Sequence, residues 1–127
     1  MVVSWLKNQA PGAARMAEFW TLAAQGRLHL RMSALSAVEV FYLTARKKGV
    51  AAAEQLLAHL RSRPLELLPL PDELVWDATR PKARYPISLA DAVAAATAIK
   101  LNLPLATGDP ALRLLEADGA LRLEWTG

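Results

Sequence analysis

The chain has 127 residues, 54% hydrophobic and 21% charged, with a formal net charge of +3 and no cysteine. One domain spanning residues 1–127 is expected, large enough for a buried core and too apolar to be disordered. The missing cysteines exclude disulfides, thiolate metal sites and a thiol nucleophile, and the charge is milder than that of a dedicated DNA-binding domain. No apolar run approaches the roughly 20 residues of a membrane helix. Met1 to Leu6 leads straight into Lys7-Asn8-Gln9 without the apolar core of a secretory signal. A cytoplasmic protein with no membrane partner is therefore expected.

Pro11-Gly12 opens a segment with Met16, Phe19, Trp20 and Ala23 at helical spacing, stopped by Gly26. Leu28, Leu30 and Met32 make a short strand. Ser36 to Lys48 reads as a helix burying Ala37, Val40, Phe41 and Thr44, and Val50 to Leu60 as another burying Ala53, Leu56, Leu57 and Leu60. Leu65 to Leu70 is strand-like, and a short helix follows from Asp72 to about Thr79, broken by Pro81. The Ser88 helix runs to about Leu101, Leu103 to Ala106 is a strand, Pro110 to Glu116 a short helix and Leu121 to Trp125 a last strand. Helices alternating with short strands imply an α/β fold, a parallel sheet covered on both faces.

Three acids sit at strand-to-helix junctions: Glu39, Asp91 and Asp109. Each has an ordinary explanation when taken alone. Ser36-Ala-Val-Glu39 and Ser88-Leu-Ala-Asp91 both match the capping box, and Gly108-Asp109-Pro110 matches the start of a helix. Together they say more, because a parallel sheet gathers such junctions at its carboxyl edge, where ligands bind. Three carboxylates there repel one another unless a cation joins them. Magnesium suits such a site: it takes hard oxygen ligands and usually binds through a few carboxylates plus substrate phosphate. Its work would be to bind a phosphate oxygen and acidify an attacking water. Thr107 adds a hydroxyl to the same rim, and Ser88 caps the helix that carries Asp91.

Other chemistries find no support. His29 and His59 lie far apart without zinc-ligand spacing and read as structural or surface residues. The four tryptophans, at 5, 20, 76 and 125, are scattered and read as core or interface. Arg46-Lys47-Lys48 and Arg61-Ser62-Arg63 suit solvated helix ends. For Arg80, Lys82 and Arg84, in a proline-flanked loop leading to Asp91, solvated surface and RNA-phosphate contact are equally open.

Met-Ser-Ala-Leu-Ser-Ala-Val-Glu39-Val-Phe-Tyr, Ile-Ser-Leu-Ala-Asp91-Ala and Leu-Ala-Thr-Gly-Asp109, in this order and spacing, resemble a PIN-domain protein of the VapC toxin type from about residue 4 onward. The resemblance implies a three-layer α/β/α fold with a five-stranded parallel sheet. It also implies a magnesium- or manganese-dependent ribonuclease acting on RNA, a homodimer, and an antitoxin that covers the site. Glu39, Asp91 and Asp109 then correspond to the family's second, third and fourth acids, with Thr107 beside the last.

The family's first acid, an Asp ending an apolar strand, has no counterpart, because no acid precedes Glu18. The favoured alignment makes Val3 to Lys7 the helix after that strand. It expects residues 1–10 to be mainly helical, the central strand to be missing or compensated, and the sequence to be N-terminally truncated. The other alignment makes Met1-Val2-Val3 the strand, with Ser4 replacing the Asp. The leading reading is a toxin endoribonuclease; the alternative is a catalytically inactive PIN-like module that binds RNA or a protein partner. Trp20, Phe41, Tyr42 and the leucines of the 50–60 helix exceed what one small core absorbs, which points to a two-fold dimer.

Overall fold

The structure, a computed structural model, describes residues 1–4 and 12–126. Its elements are β1 (Val2–Val3), α1 (Gly12–Ala24), β2 (Leu30–Ser33), α2 (Ala34–Lys48), α3 (Val50–Ser62), β3 (Leu65–Leu68), α4 (Asp72–Asp77) and α5 (Thr79–Arg84). They continue with α6 (Leu89–Leu101), β4 (Leu105–Thr107), a 3-10 turn (Pro110–Leu112), α7 (Arg113–Ala117) and β5 (Leu123–Trp125). The strands form one sheet in the order β3-β2-β1-β4-β5, and every neighbouring pair is parallel.

Strand alternation divides the apolar residues between two cores. Val2 and Leu105 face one side, where they join Val93, Ala96, Leu112 and Leu115. Val3, Leu30, Met32 and Ala106 face the other, against Met16, Phe19 and Ala23 of α1 and Ala37 of α2. The α/β/α layering expected from the sequence follows directly.

The central strand is present, which corrects the favoured N-terminal alignment. The Val2 amide donates to the Pro104 carbonyl at 3.0 Å and the Ser4 amide to Ala106 at 3.1 Å, while the Arg31 amide donates to Met1 at 2.9 Å. Met1 to Ser4 thus zips β2 to β4, filling the gap that argued for a missing or compensated strand. Leaving that gap open would strand several buried backbone groups, each costing about 1–3 kcal/mol. Two residues suffice because Val2 and Val3 are fully buried, Val2 is paired on both sides and Val3 with Ala106 of β4. The remaining part of the expected helix, residues 5–10, and Trp5 lie outside the described residues.

Helix α6 positions the site. Ala90 through Ala98 are all buried, as a helix apolar on every side must be. Its alanines allow close packing against β1, β2, β4, α2, α4 and α5. The helix ends at Asn102, whose φ of 54° is the left-handed cap that Asn tolerates. Pro81 does not break a helix running to about Thr79, contrary to expectation: α4 already ends at Asp77, and α5 begins at Thr79. Pro81 falls in the first turn of α5, where a missing N–H is harmless, so Arg80, Lys82 and Arg84 lie on a helix and not in a loop.

Candidate active site

At the start of α6 the Ser88 hydroxyl accepts a hydrogen bond from the Asp91 amide at 3.1 Å. This N-cap fixes the first turn and directs Asp91 into the fold, where it is only 5% exposed. At the end of β4 the buried Thr107 hydroxyl accepts from the Asp109 amide at 3.1 Å. Asp109 Oδ1 in turn accepts from the Ala111 amide at 2.9 Å, capping the 3-10 turn with Pro110 at its first position. Asp109 therefore performs the structural task foreseen for it with one oxygen, and its carboxylate still reaches Asp91.

The electrostatics show that reach. Burial, then a hydrogen bond to the Asp109 carboxylate, then the charges of Asp109 and Glu39 push the Asp91 carboxyl from 3.8 up to about 7; the Ser88 hydroxyl opposes the rise. Like charges brought together favour protonation of one of them, so Asp91 is the acid here that holds a proton most readily. Glu39, half-buried on α2, is raised mainly by its own burial and further by Asp109, with the Ser88 hydroxyl again favouring the charged form. Three acids thus influence one another at the carboxyl edge, with Ser88 beside two of them: Glu39 follows β2 and Asp109 follows β4, but Asp91 sits between α5 and α6 and not at the strand-to-helix junction expected.

The ordinary explanation expected for Glu39 does not hold. Helix α2 begins at Ala34, two residues earlier than expected, because Ser33 is the N-cap and accepts from the Leu35 amide at 3.2 Å. Ser36 is therefore inside the helix, and Glu39 lies beyond the first turn where a capping acid would sit. The Ser36 hydroxyl is buried without a hydrogen-bond partner among the described residues. Sequence reasoning missed Ser33 because Ser36 offered the better capping-box match.

Ser4 ends β1, at the position where the resemblance calls for the first acid. It is 1% exposed, and its hydroxyl donates to the Ala106 carbonyl at 3.3 Å. A neutral residue bonded to backbone thus stands where a carboxylate would add a fourth charge.

The donor chemistry suits a hard divalent cation: Asp109 lies near enough to Asp91 to raise its pKa, and both offer carboxylate oxygens. Among the described residues no group of three His, Cys, Asp or Glu side chains could hold a metal ion. Of the two neighbouring acids, Asp109 perturbs Asp91 more and Glu39 less. Two carboxylates meet the usual demand of magnesium, which takes about one or two plus waters and substrate phosphate.

The other candidates lie elsewhere. Arg80, Lys82 and Arg84 are exposed on α5; Arg84 lies 3.5 Å from Asp118 and covers the Tyr85 ring. His29 sits beside Glu66 at 3.5 Å, and His59 contacts Arg63, both away from the acids. Trp76, expected in a core or interface, is 75% exposed.

The PIN domain family profile matches residues 1–117. No curated protein sequence matches the chain significantly. Among solved structures, a DNA-bound VapBC from Salmonella typhimurium aligns with a TM-score of 0.71 at 16% identity, covering 100% of this chain and 99% of that one. VapBC2 from Rickettsia felis, bound to a DNA fragment from its promoter, gives 0.69 at 18% identity, covering 98% of each chain. VapBC-1 from nontypeable Haemophilus influenzae gives 0.59 at 19% identity, covering 99% and 98%. The profile match, the central β1 and the acids gathered at the carboxyl edge agree: the chain belongs to the PIN domain family.

Proposed function

We propose that this protein is a metal-dependent endoribonuclease, the toxin of a toxin–antitoxin pair. The observation that carries the reading is the Asp91–Asp109 pair with Glu39 beside it, three acids brought to one edge from separate parts of the chain. Magnesium or manganese, when bound, would neutralise a phosphate oxygen and acidify an attacking water. Asp91 and Asp109 would hold the ion. Glu39 would complete the acidic face, kept charged by Ser88. Thr107 fixes the backbone at Asp109, and Arg80, Lys82 and Arg84 would meet RNA phosphates.

The partners that accompany this reading are an RNA substrate, a cognate antitoxin, as in the toxin–antitoxin complexes the fold resembles, and a second copy of the chain in a cytoplasmic homodimer. Tyr42 and Leu43 of α2 and Val50 of α3 are exposed apolar residues that a dimer would cover.

Ser4 favours a second reading. With no acid there, a catalytically inactive PIN-like module that binds RNA or a protein partner accounts for the same fold. Incubating single-stranded RNA with the protein in Mg²⁺ or Mn²⁺ separates the two. Cleavage that is lost in EDTA and in Asp91→Asn supports the nuclease; RNA binding without cleavage supports the module.

A further inference from the structure

The amino edge of the sheet, opposite the acids, carries a cleft of about 690 Å³ between the turn after α1 and the approach to β3. Ala23, Leu28, Pro64 and Leu65 give it an apolar floor, and Arg27, Arg63 and Glu66 stand around it. Its volume lies in the range of about 300–1,000 Å³ typical of small-ligand sites. The turn is opened by Gly26 at φ 70°, and nothing lies within 4 Å of where a Cβ there would stand.

The charges of this cleft do not cancel. Glu66 is already held by Arg31 and His29, each at 3.5 Å. Among the described residues neither Arg27 nor Arg63 pairs with a carboxylate. Arg63 is also preoriented. Its guanidinium lies 5.3 Å over the Trp20 ring, and its Nη2 and Nε lie 2.8 and 3.2 Å from His59 Nε2. With the Nε side of its fork turned to His59, Arg63 keeps Nη1 and the other Nη2 proton for a phosphate, and Arg27 lines the same cleft. The apolar floor beside it suits the flat face of a base.

We propose that this cleft binds a phosphorylated nucleoside unit, its phosphate held by Arg27 and Arg63 and its base against the Leu28–Leu65 floor. The assignment does not depend on the acid site being a nuclease. The unit could come from a free mononucleotide or from one residue of an RNA chain.

The test uses the full chain in EDTA, titrated calorimetrically with uridine 5′-monophosphate, with uridine, and with a short single-stranded RNA. Saturable binding of the monophosphate or the RNA is expected, with uridine weaker by about tenfold or more. Arg27→Ala and Arg63→Ala should each weaken that binding by about tenfold. Arg63 packs on Trp20, so Arg27→Ala, at an exposed turn, is the deciding variant, with its melting temperature as the check on folding. Monophosphate binding sensitive to Arg27 identifies a free nucleotide site; RNA binding alone, equally sensitive, identifies a site for the chain. Binding that Arg27→Ala leaves intact, equal binding of uridine, or no saturable binding of either phosphate probe overturns the proposal.

Discussion

Helices α2 and α6 carry the same local pattern, a serine followed three residues later by an acid, and use it differently. In α6 the serine caps the helix and its acid, Asp91, lies in the first turn, buried against Asp109. In α2 an earlier serine, Ser33, takes the cap, and Glu39 is left half-buried beyond the first turn. A motif that explains an acid as a cap is therefore only as good as the competition for the cap. Where Ser33 wins, Glu39 keeps no capping role, and its orientation toward Asp109 and Ser88 needs another reason. The proposed cation would supply one.

This contrast orders the expected effects of substitution. The largest belongs to the buried acid. Asp91→Asn should reduce RNA cleavage by more than the about 10–100-fold typical of outer partners of a metal site, and Glu39→Gln should fall within that range. Measured single-turnover rates that rank the two the other way would reverse the roles given to α6 and α2.

The next effect is on stability. Folding raises the Asp91 pKa from 3.8 to about 7, so the folded state binds its proton more tightly than the unfolded chain. This contribution is fully present below about pH 4 and is lost as pH rises through about 7. In EDTA, the melting temperature of Asp91→Asn relative to the native protein should therefore climb between pH 4 and 8. A constant difference would mean that the pair does not share a proton.

Ser4→Asp restores an acid at the end of β1. It should lower the melting temperature in EDTA and raise Mg²⁺ or Mn²⁺ affinity, read by calorimetry, because it adds a buried like charge that only a cation relieves. Unchanged metal affinity would place Ser4 outside the site's reach. The smallest effect separates the competing caps. Ser33→Ala should cost about 1 kcal/mol in denaturant unfolding, while Ser36→Ala, which removes an unpartnered hydroxyl, should be neutral or slightly stabilising. Equal losses would undo the explanation of where α2 begins.

Much of this was legible in the sequence. Helical spacing located α1, α3 and α6 because each carries an apolar face or is apolar throughout, and the turn signals at Gly26 and Gly49 bounded the first two. Glu39 and Asp109 follow strands as expected, which indicated one edge; Asp91 follows helix α5 instead and reaches that edge because α6 starts there before leading into β4. The N-terminal strand was legible only as the less favoured of two alignments, with Ser4 at the place of the first acid. Two valines and a serine are too short for period-2 alternation to register, and only their pairing with both neighbours makes them a strand. The unequal roles of the three acids were also hidden, because burial and the reach of Asp109 toward Asp91 depend on how β4 and α6 pack. The cationic cleft at the opposite edge joins Arg27 to Arg63 across a long stretch of chain, a proximity no local pattern announces.

The central claim is that Asp91 and Asp109 hold a proton where a divalent cation would sit. Calorimetric titration of the protein with Mn²⁺, in two buffers of different ionisation enthalpy, reads the protons released per ion bound. The account predicts saturable binding with release of roughly one proton per ion near pH 6, falling toward zero above pH 8, and loss of both binding and release in Asp91→Asn. Binding without proton release at pH 6, or binding that survives in Asp91→Asn, would contradict it.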